Sequence, residues 1–120
     1  MSVVIFHNPN CSSSRSAVAA AEELGVVAEI VQYLKHAPSK VELEALVGQL
    51  EDPVTDLVRR DSHFASLGLT DADVETAVQV VAVLVEHPRL LQRPVVVSGG
   101  RAIIGRPKDR VVPFLRSARA

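Results

Sequence analysis

At 120 residues, with 48% hydrophobic and 22% charged side chains, the chain is sized for one globular domain with one core, residues 1–120. A net charge of −1 excludes the basic field that nucleic-acid and membrane-surface binders carry. No apolar run approaches the roughly 20 residues of a spanning helix, and Met1–Phe6 lacks the basic start and cleavage site of a signal peptide, so the expected location is the cytoplasm.

In chain order, Val3-Val4-Ile5-Phe6 is too evenly apolar for a half-exposed strand and reads as a central strand buried on both faces. It runs into His7-Asn8-Pro9-Asn10-Cys11-Ser12-Ser13-Ser14-Arg15, a proline turn that leads into an alanine-rich helix spanning Ser16 to Leu24. Ala17, Val18, Ala20, Ala21 and Leu24 suit packing on a sheet, and Gly25 is a natural stop. Val26 to Tyr33 reads as a second strand, parallel to the first across a βαβ crossover.

His36-Ala37-Pro38 is a connector, and Ser39 with Glu42 forms a capping box that opens a helix to about Val47. Asp52-Pro53 reads as the cap and first residue of a short helix to Arg60. After a turn at Leu67-Gly68-Leu69, Thr70 is expected to cap a long helix from Asp71 to about Glu86. Its apolar stripe would be Val74, Ala77, Val78, Val81, Ala82 and Val85. Past His87-Pro88, Pro94–Val97 and Arg101–Ile104 form a hairpin around Ser98-Gly99-Gly100. Pro107 would open a last helix reaching about Ser117.

The order β-α-β, helices, β-β-α predicts an α/β fold of thioredoxin type, a mixed four-stranded sheet with a helical insertion at about residues 39–88. If Pro94–Val97 lies antiparallel to Val3–Phe6, the start of the third strand and the end of the fourth return to the edge where the first strand ends. Cys11, Arg93 and Arg106 then meet.

Cys11 is the only cysteine, so no internal disulfide can form, and any redox cycle must borrow a second thiol. Its place at a helix start favours a thiolate over the buried, inert role that is the ordinary alternative. Guanidinium forks beside a thiolate suit a tetrahedral oxyanion and lower the thiol pKa. His7 lies close enough through the turn to support the thiolate by charge or hydrogen bonding. Arg101 reads as hairpin surface charge, and His36, His63 and His87 have no ligand spacing, so no metal site is expected.

His7-Asn8-Pro9-x-Cys11-x-x-Ser14-Arg15 resembles the signature of the arsenate reductases that work with glutathione and glutaredoxin. The resemblance continues through Tyr33-Leu34, Leu57-Val58-Arg59-Arg60, Leu67-Gly68-Leu69, His87-Pro88, Arg93-Pro94-Val95-Val96-Val97 and Gly105-Arg106-Pro107, covering nearly the whole chain. The Ser98–Arg101 turn and Ile103–Pro107 look more like the family's shorter members.

The resemblance implies that Cys11 is the nucleophile, assisted by His7, with Arg59, Arg93 and Arg106 binding the oxyanion. Ser14 and Arg15 would support the turn, and Pro94 would be a cis proline facing the thiol. Spacing alone leaves Arg60 open as the alternative to Arg59. The implied reaction converts arsenate to arsenite for arsenic detoxification. Cys11 attacks arsenate, glutathione or another small thiol attacks the adduct and reduces the arsenic, and glutaredoxin resolves the mixed disulfide. The expected partners are thus arsenate or a similar oxyanion and a glutaredoxin-like protein, with no bound cofactor and a monomeric state.

The rival reading is a thiol-redox adaptor or regulator without arsenate turnover, although the CxxC switch frequent in Spx-type relatives is absent because Ser14 stands at the second position. A general glutathione-linked oxidoreductase is a third reading. A tyrosine-phosphatase loop needs five residues between cysteine and arginine, and Cys11 to Arg15 leaves three.

Overall fold

The computed structural model describes residues 3–119. Four strands, β1 (Val3–His7), β2 (Ala28–Gln32), β3 (Val95–Ser98) and β4 (Arg101–Ile104), form one sheet in the order β2-β1-β3-β4. β1 pairs parallel with β2, His7 opposite Gln32, and antiparallel with β3, Phe6 opposite Val95. The hairpin closes with Ser98 opposite Arg101, and its two turn residues, Gly99 and Gly100, have φ of 59° and 78°. Two consecutive left-handed residues match the twist of the flanking strands, which is why two glycines stand there. This is the mixed thioredoxin-type sheet that the element order predicts.

The alternation along β1 divides the core. Val3 and Ile5 face α1 (Ser12–Glu23) and α5 (Val111–Arg119), packing with Ala17, Ala21, Phe114 and Leu115. Phe6 joins the opposite layer, with Leu43 and Leu46 of α2 (Lys40–Gln49) and Val80, Val81 and Leu84 of α4 (Ala77–Glu86). Each such side chain, fully buried, contributes roughly 1.5–3 kcal/mol, so a central strand that feeds both layers is the stiffest element available to carry a site. Ala17 and Ala21, one turn apart on α1, are 0% and 2% exposed. Their small side chains let the helix that begins at Cys11 sit close on the sheet. α1 ends in a Schellman motif, Gly25 N–H to Glu22 O and Val26 N–H to Ala21 O, with Gly25 at φ 68°.

Several expectations are corrected. α1 starts at Ser12, not Ser16, so Cys11 itself occupies the N-cap. β2 is shorter than Val26–Tyr33, and as an edge strand it leaves Ile30 exposed. The long helix from Asp71 breaks in two. Thr70 and Asp73 cap only a 3₁₀ turn, Asp71–Asp73, and α4 begins afresh at Ala77 under a second capping box, Thr76 with Gln79. A second cap at a stretch rich in β-branched residues outcompetes helix continuation. The buried stripe differs in part: Val74 and Val81 are inside as expected, joined by Val80 and Leu84, while Val78 is 81% exposed and Val85 45%. Ala77–Val85 is apolar nearly all round, so periodicity could not choose the face.

Instead of a helix from Pro53 to Arg60 there is a 3₁₀ turn, Val54–Leu57, followed by extended backbone in which Val58 bridges Leu91. Asp52 is not a helix cap; its carboxylate accepts Ile104 N–H at 2.9 Å and pairs with Arg110 at 2.9 Å. A short helix, α3 (Ser62–Ser66), capped by Asp61, follows unforeseen. Pro107 precedes a 3₁₀ turn, Lys108–Arg110, before α5 begins. The Ser39–Glu42 capping box is present as expected. Among the described residues, no helix is long and apolar enough to cross a membrane.

Candidate functional site: a thiol between two arginines

The site is built where β1 ends. Asn8 O accepts Cys11 N–H at 3.0 Å, closing a tight turn around Pro9-Asn10, and Asn8 Oδ1 accepts Asn10 N–H at 2.9 Å. Such an Asx turn helps to fix the loop locally. Ser14, fully buried, ties the loop to the helix: its Oγ accepts Asn8 N–H at 2.9 Å and lies 2.7 Å from His7 Nδ1. Arg15 Nη1 donates to Pro9 O at 2.9 Å. Ser14 and Arg15 are thus both bonded to the loop.

Cys11 caps α1 with extended backbone (φ −107°, ψ 124°) and makes no capping hydrogen bond through its side chain. The residue is buried, 8% exposed. Arg106 Nη2 donates to Sγ at 3.3 Å while Arg106 Nε donates to Arg93 O at 2.7 Å, so one guanidinium spans the thiol and the neighbouring strand. Burial would push the Cys11 pKa up. The Ser14 backbone N–H, the Arg93 and Arg106 side chains and the Arg106 charge together outweigh it, and the thiol sits below its ordinary pKa. Neither Arg93 nor Arg106 has a carboxylate within ion-pair distance among the described residues, in contrast to Arg59, Arg60, Arg101 and Arg110. Their charge is left for the sulfur and for whatever anion meets it.

The convergence of Cys11, Arg93 and Arg106 follows from strand direction. β3 starts where β1 ends, and β4 returns to the same edge. The Arg93–Pro94 peptide is cis, as the resemblance implies, and so is Arg106–Pro107.

Among the described residues, no hydrogen bond joins His7 to the thiol; its Nδ1 meets Ser14 Oγ. Burial lowers its pKa, hydrogen bonding at Ser14 opposes this, and Arg15 lowers it further; the net direction is down. A neutral imidazole bonded to Ser14 orients the loop and adds no positive charge at Sγ.

Arg59 stands outside the thiol contact. It is bound weakly, at 3.4 Å to Asp61 Oδ2 and 3.4 Å to Gln92 Oε1, and its field reaches Tyr33. Arg60 is more fully engaged, by Thr55, the Val58 carbonyl, Asp71 and the Phe64 ring. Of the two, Arg59 is the less engaged. Arg101, as expected, serves the hairpin surface, bridging Glu51 and Ser117.

Sequence reasoning missed four supports. Asn8 builds the turn, and Gln92 accepts from both Arg59 and Arg93 N–H. Asp52 and Arg110 clamp the end of β4, Arg110 Nη1 also donating to Ile104 O at 2.9 Å. Gly105 was legible only as part of a motif. A Cβ there would lie 2.7 Å from Pro94 Cγ and 3.1 Å from Val111 Cγ2.

Two predictions follow from these contacts. Gly105→Ala must displace the Arg93-Pro94 turn or the start of α5, and should cost about 1–3 kcal/mol in thermal or denaturant unfolding; an unchanged midpoint would show that the methyl is accommodated. Asp52→Ala orphans Ile104 N–H and frees Arg110. It should cost about 1–3 kcal/mol and, by loosening the strand end that carries Arg106, raise the Cys11 pKa. Wild-type alkylation kinetics would separate the clamp from the site.

Among the described residues, no cluster of three or more His, Cys, Asp or Glu side chains could hold a metal ion. The arrangement can stabilise a thiolate and receive an oxyanion beside it.

The model of the ArsC family matches residues 6–114. The arsenate reductase of Haemophilus influenzae is 38% identical over 117 residues, covering 96% of this chain and 100% of its own. That of Neisseria meningitidis serogroup B is 36% identical over 115 residues, covering 94% and 97%. Among solved structures, the arsenate reductase from Vibrio cholerae superposes with a TM-score of 0.83 at 38% identity, covering 94% of this chain and 97% of the other.

Proposed function

The chain belongs to the ArsC family, and on that premise we propose that it is an arsenate reductase whose nucleophile is the Cys11 thiolate and whose electrons come from an external thiol. The observation that carries the reading is the Arg106 Nη2–Cys11 Sγ contact at 3.3 Å. A cation with no carboxylate partner among the described residues, held against a thiol at a helix start, serves both a thiolate and the anion it attacks.

Arsenate and a thiolate repel each other, and Arg93 and Arg106 offset that repulsion. Sγ attacks arsenic, an S–As bond forms as an As–O bond breaks, and one arsenate hydroxyl leaves as water after taking up a proton. Developing charge on the remaining oxygens falls to the guanidinium forks. Arg59, held at 3.4 Å by both Asp61 and Gln92, is the cation we assign to the outer oxygens of bound arsenate. His7 acts through Ser14 to keep the loop, and with it the Ser14 N–H, directed at the sulfur. Pro94 forms the wall opposite the thiol.

Reduction of As(V) to As(III) takes two electrons, supplied as two thiols become one disulfide. Cys11 is the chain's only thiol, so the cycle needs a small thiol, for which glutathione is the choice, and a glutaredoxin-like protein to resolve the mixed disulfide.

The test is arsenite formation from arsenate with glutathione and glutaredoxin, each omitted in turn. Turnover that requires all three supports the reading. Mixed-disulfide formation without arsenate-dependent turnover would move the protein to the adaptor class.

A further inference from the structure

Two buried polar side-chain atoms have no hydrogen-bond partner among the described residues, Tyr33 Oη and Arg93 Nε. They are neighbours. Tyr33 is the residue after β2, and β1 and β2 run parallel with His7 opposite Gln32, so Tyr33 stands beside Asn8 at the edge where the thiol loop begins. Its hydroxyl lies next to the Arg93 guanidinium and the Asn8 side chain, while its ring is fully buried, 0% exposed, in the layer with Phe6, Val58, Leu91 and Val95. A phenylalanine would fill that core position as well, without stranding a hydroxyl at a cost of about 1–3 kcal/mol. An unsatisfied buried hydroxyl beside an unsatisfied guanidinium nitrogen needs a reason to be kept.

We propose that Tyr33 is a positioning residue for the oxyanion site, its hydroxyl receiving Arg93 when that side chain turns to grip the bound anion. The proposal rests on the oxyanion-site reading above and adds to it a residue that acts through Arg93 and does not touch substrate. A part-buried arginine is normally held by a carboxylate, which would cancel the charge Arg93 lends to Cys11. A phenol accepts a hydrogen bond and stays neutral. Burial holds the Tyr33 pKa above its ordinary value, against the pull of Arg93, Asn8 and Arg59, so the phenol keeps its proton through the working pH range. In the free structure the two groups lie close without a well-formed hydrogen bond, and anion binding completes their contact.

Tyr33 is the only tyrosine and there is no tryptophan, so the ultraviolet difference spectrum and tyrosine fluorescence of the unmodified protein report on this hydroxyl. Titrating arsenate should change both signals and saturate at the concentration that protects Cys11 from alkylation; a flat tyrosine signal over a protecting titration overturns the proposal. In Tyr33→Phe, arsenate protection should weaken about 3- to 10-fold, the size of one lost hydrogen bond, and the alkylation profile of Cys11 should shift to higher pH. Adding Tyr33→Phe to Arg93→Ala should change neither quantity further, because the hydroxyl acts through Arg93. Wild-type values in the single variant, or full additivity in the double one, would show that Tyr33 only packs. None of these readouts needs turnover, so they stand apart from any failure of the arsenate reductase assay.

Discussion

Cys11→Ser is expected to lower arsenate reduction by at least about 10³-fold, the scale on which enzymes lose rate when a nucleophile is removed. A serine hydroxyl is not ionised near neutrality and cannot supply the sulfur through which electrons reach arsenic. The fold should not suffer. Cys11 occupies the N-cap of α1 without a capping hydrogen bond from its side chain, and serine is among the preferred residues there, with caps worth about 0.5–2 kcal/mol over a non-capping residue. The variant should therefore unfold at the same temperature as wild type or higher while losing activity. This pairing separates chemistry from folding. Equal turnover in the two proteins would remove Cys11 from the mechanism.

Arg106→Ala carries the second large effect, a fall of about 10²–10³-fold in kcat/KM, as for other preorganised donors at an oxyanion site. It removes the bond to Sγ and the bond to Arg93 O together. The sign in pH is fixed by the charge. Arg106 holds the thiol pKa down, so its loss raises that pKa, and the rising limb of the activity profile moves to higher pH. Arg93→Ala should shift the thiol in the same direction and weaken oxyanion binding, since Arg93 also lowers the Cys11 pKa. Because both guanidinium groups act on the same thiol, their effects should fall short of additive. Arg106→Lys should rescue little, since one ammonium cannot span sulfur and carbonyl as a guanidinium does. An unchanged thiol titration in Arg106→Ala would break the link between this cation and the nucleophile.

The sheet was legible because its signals are local and strong: an evenly apolar β1, a crossover helix stopped by Gly25, and a hairpin turned by Gly99-Gly100. Strand direction then carried Arg93 and Arg106 to Cys11 without any long-range information. The helical segment was less legible. Ala77–Val85 is apolar on nearly every face, so its buried side is chosen by what α2 offers and not by its own period. Asp52 reads as a cap before Pro53, yet its partners are Ile104 N–H and Arg110, contacts that no local pattern encodes. At the site, His7 is spaced to meet Cys11 but is taken up by Ser14. Arg59 and Arg60 are equivalent in sequence and separate only through the environments of Asp61, Gln92, Thr55 and Asp71. Tyr33 carried a signal that could have been used, since the residue following β2 in a parallel pair must stand beside the loop following β1.

The central claim is that Cys11 is a thiolate made reactive by an anion site. The most direct measurement is the pH dependence of Cys11 alkylation by iodoacetamide, with and without arsenate. The account predicts a midpoint below that of the same thiol in the unfolded chain and saturable protection by arsenate. A midpoint at the unfolded-chain value, with alkylation indifferent to arsenate, would contradict it.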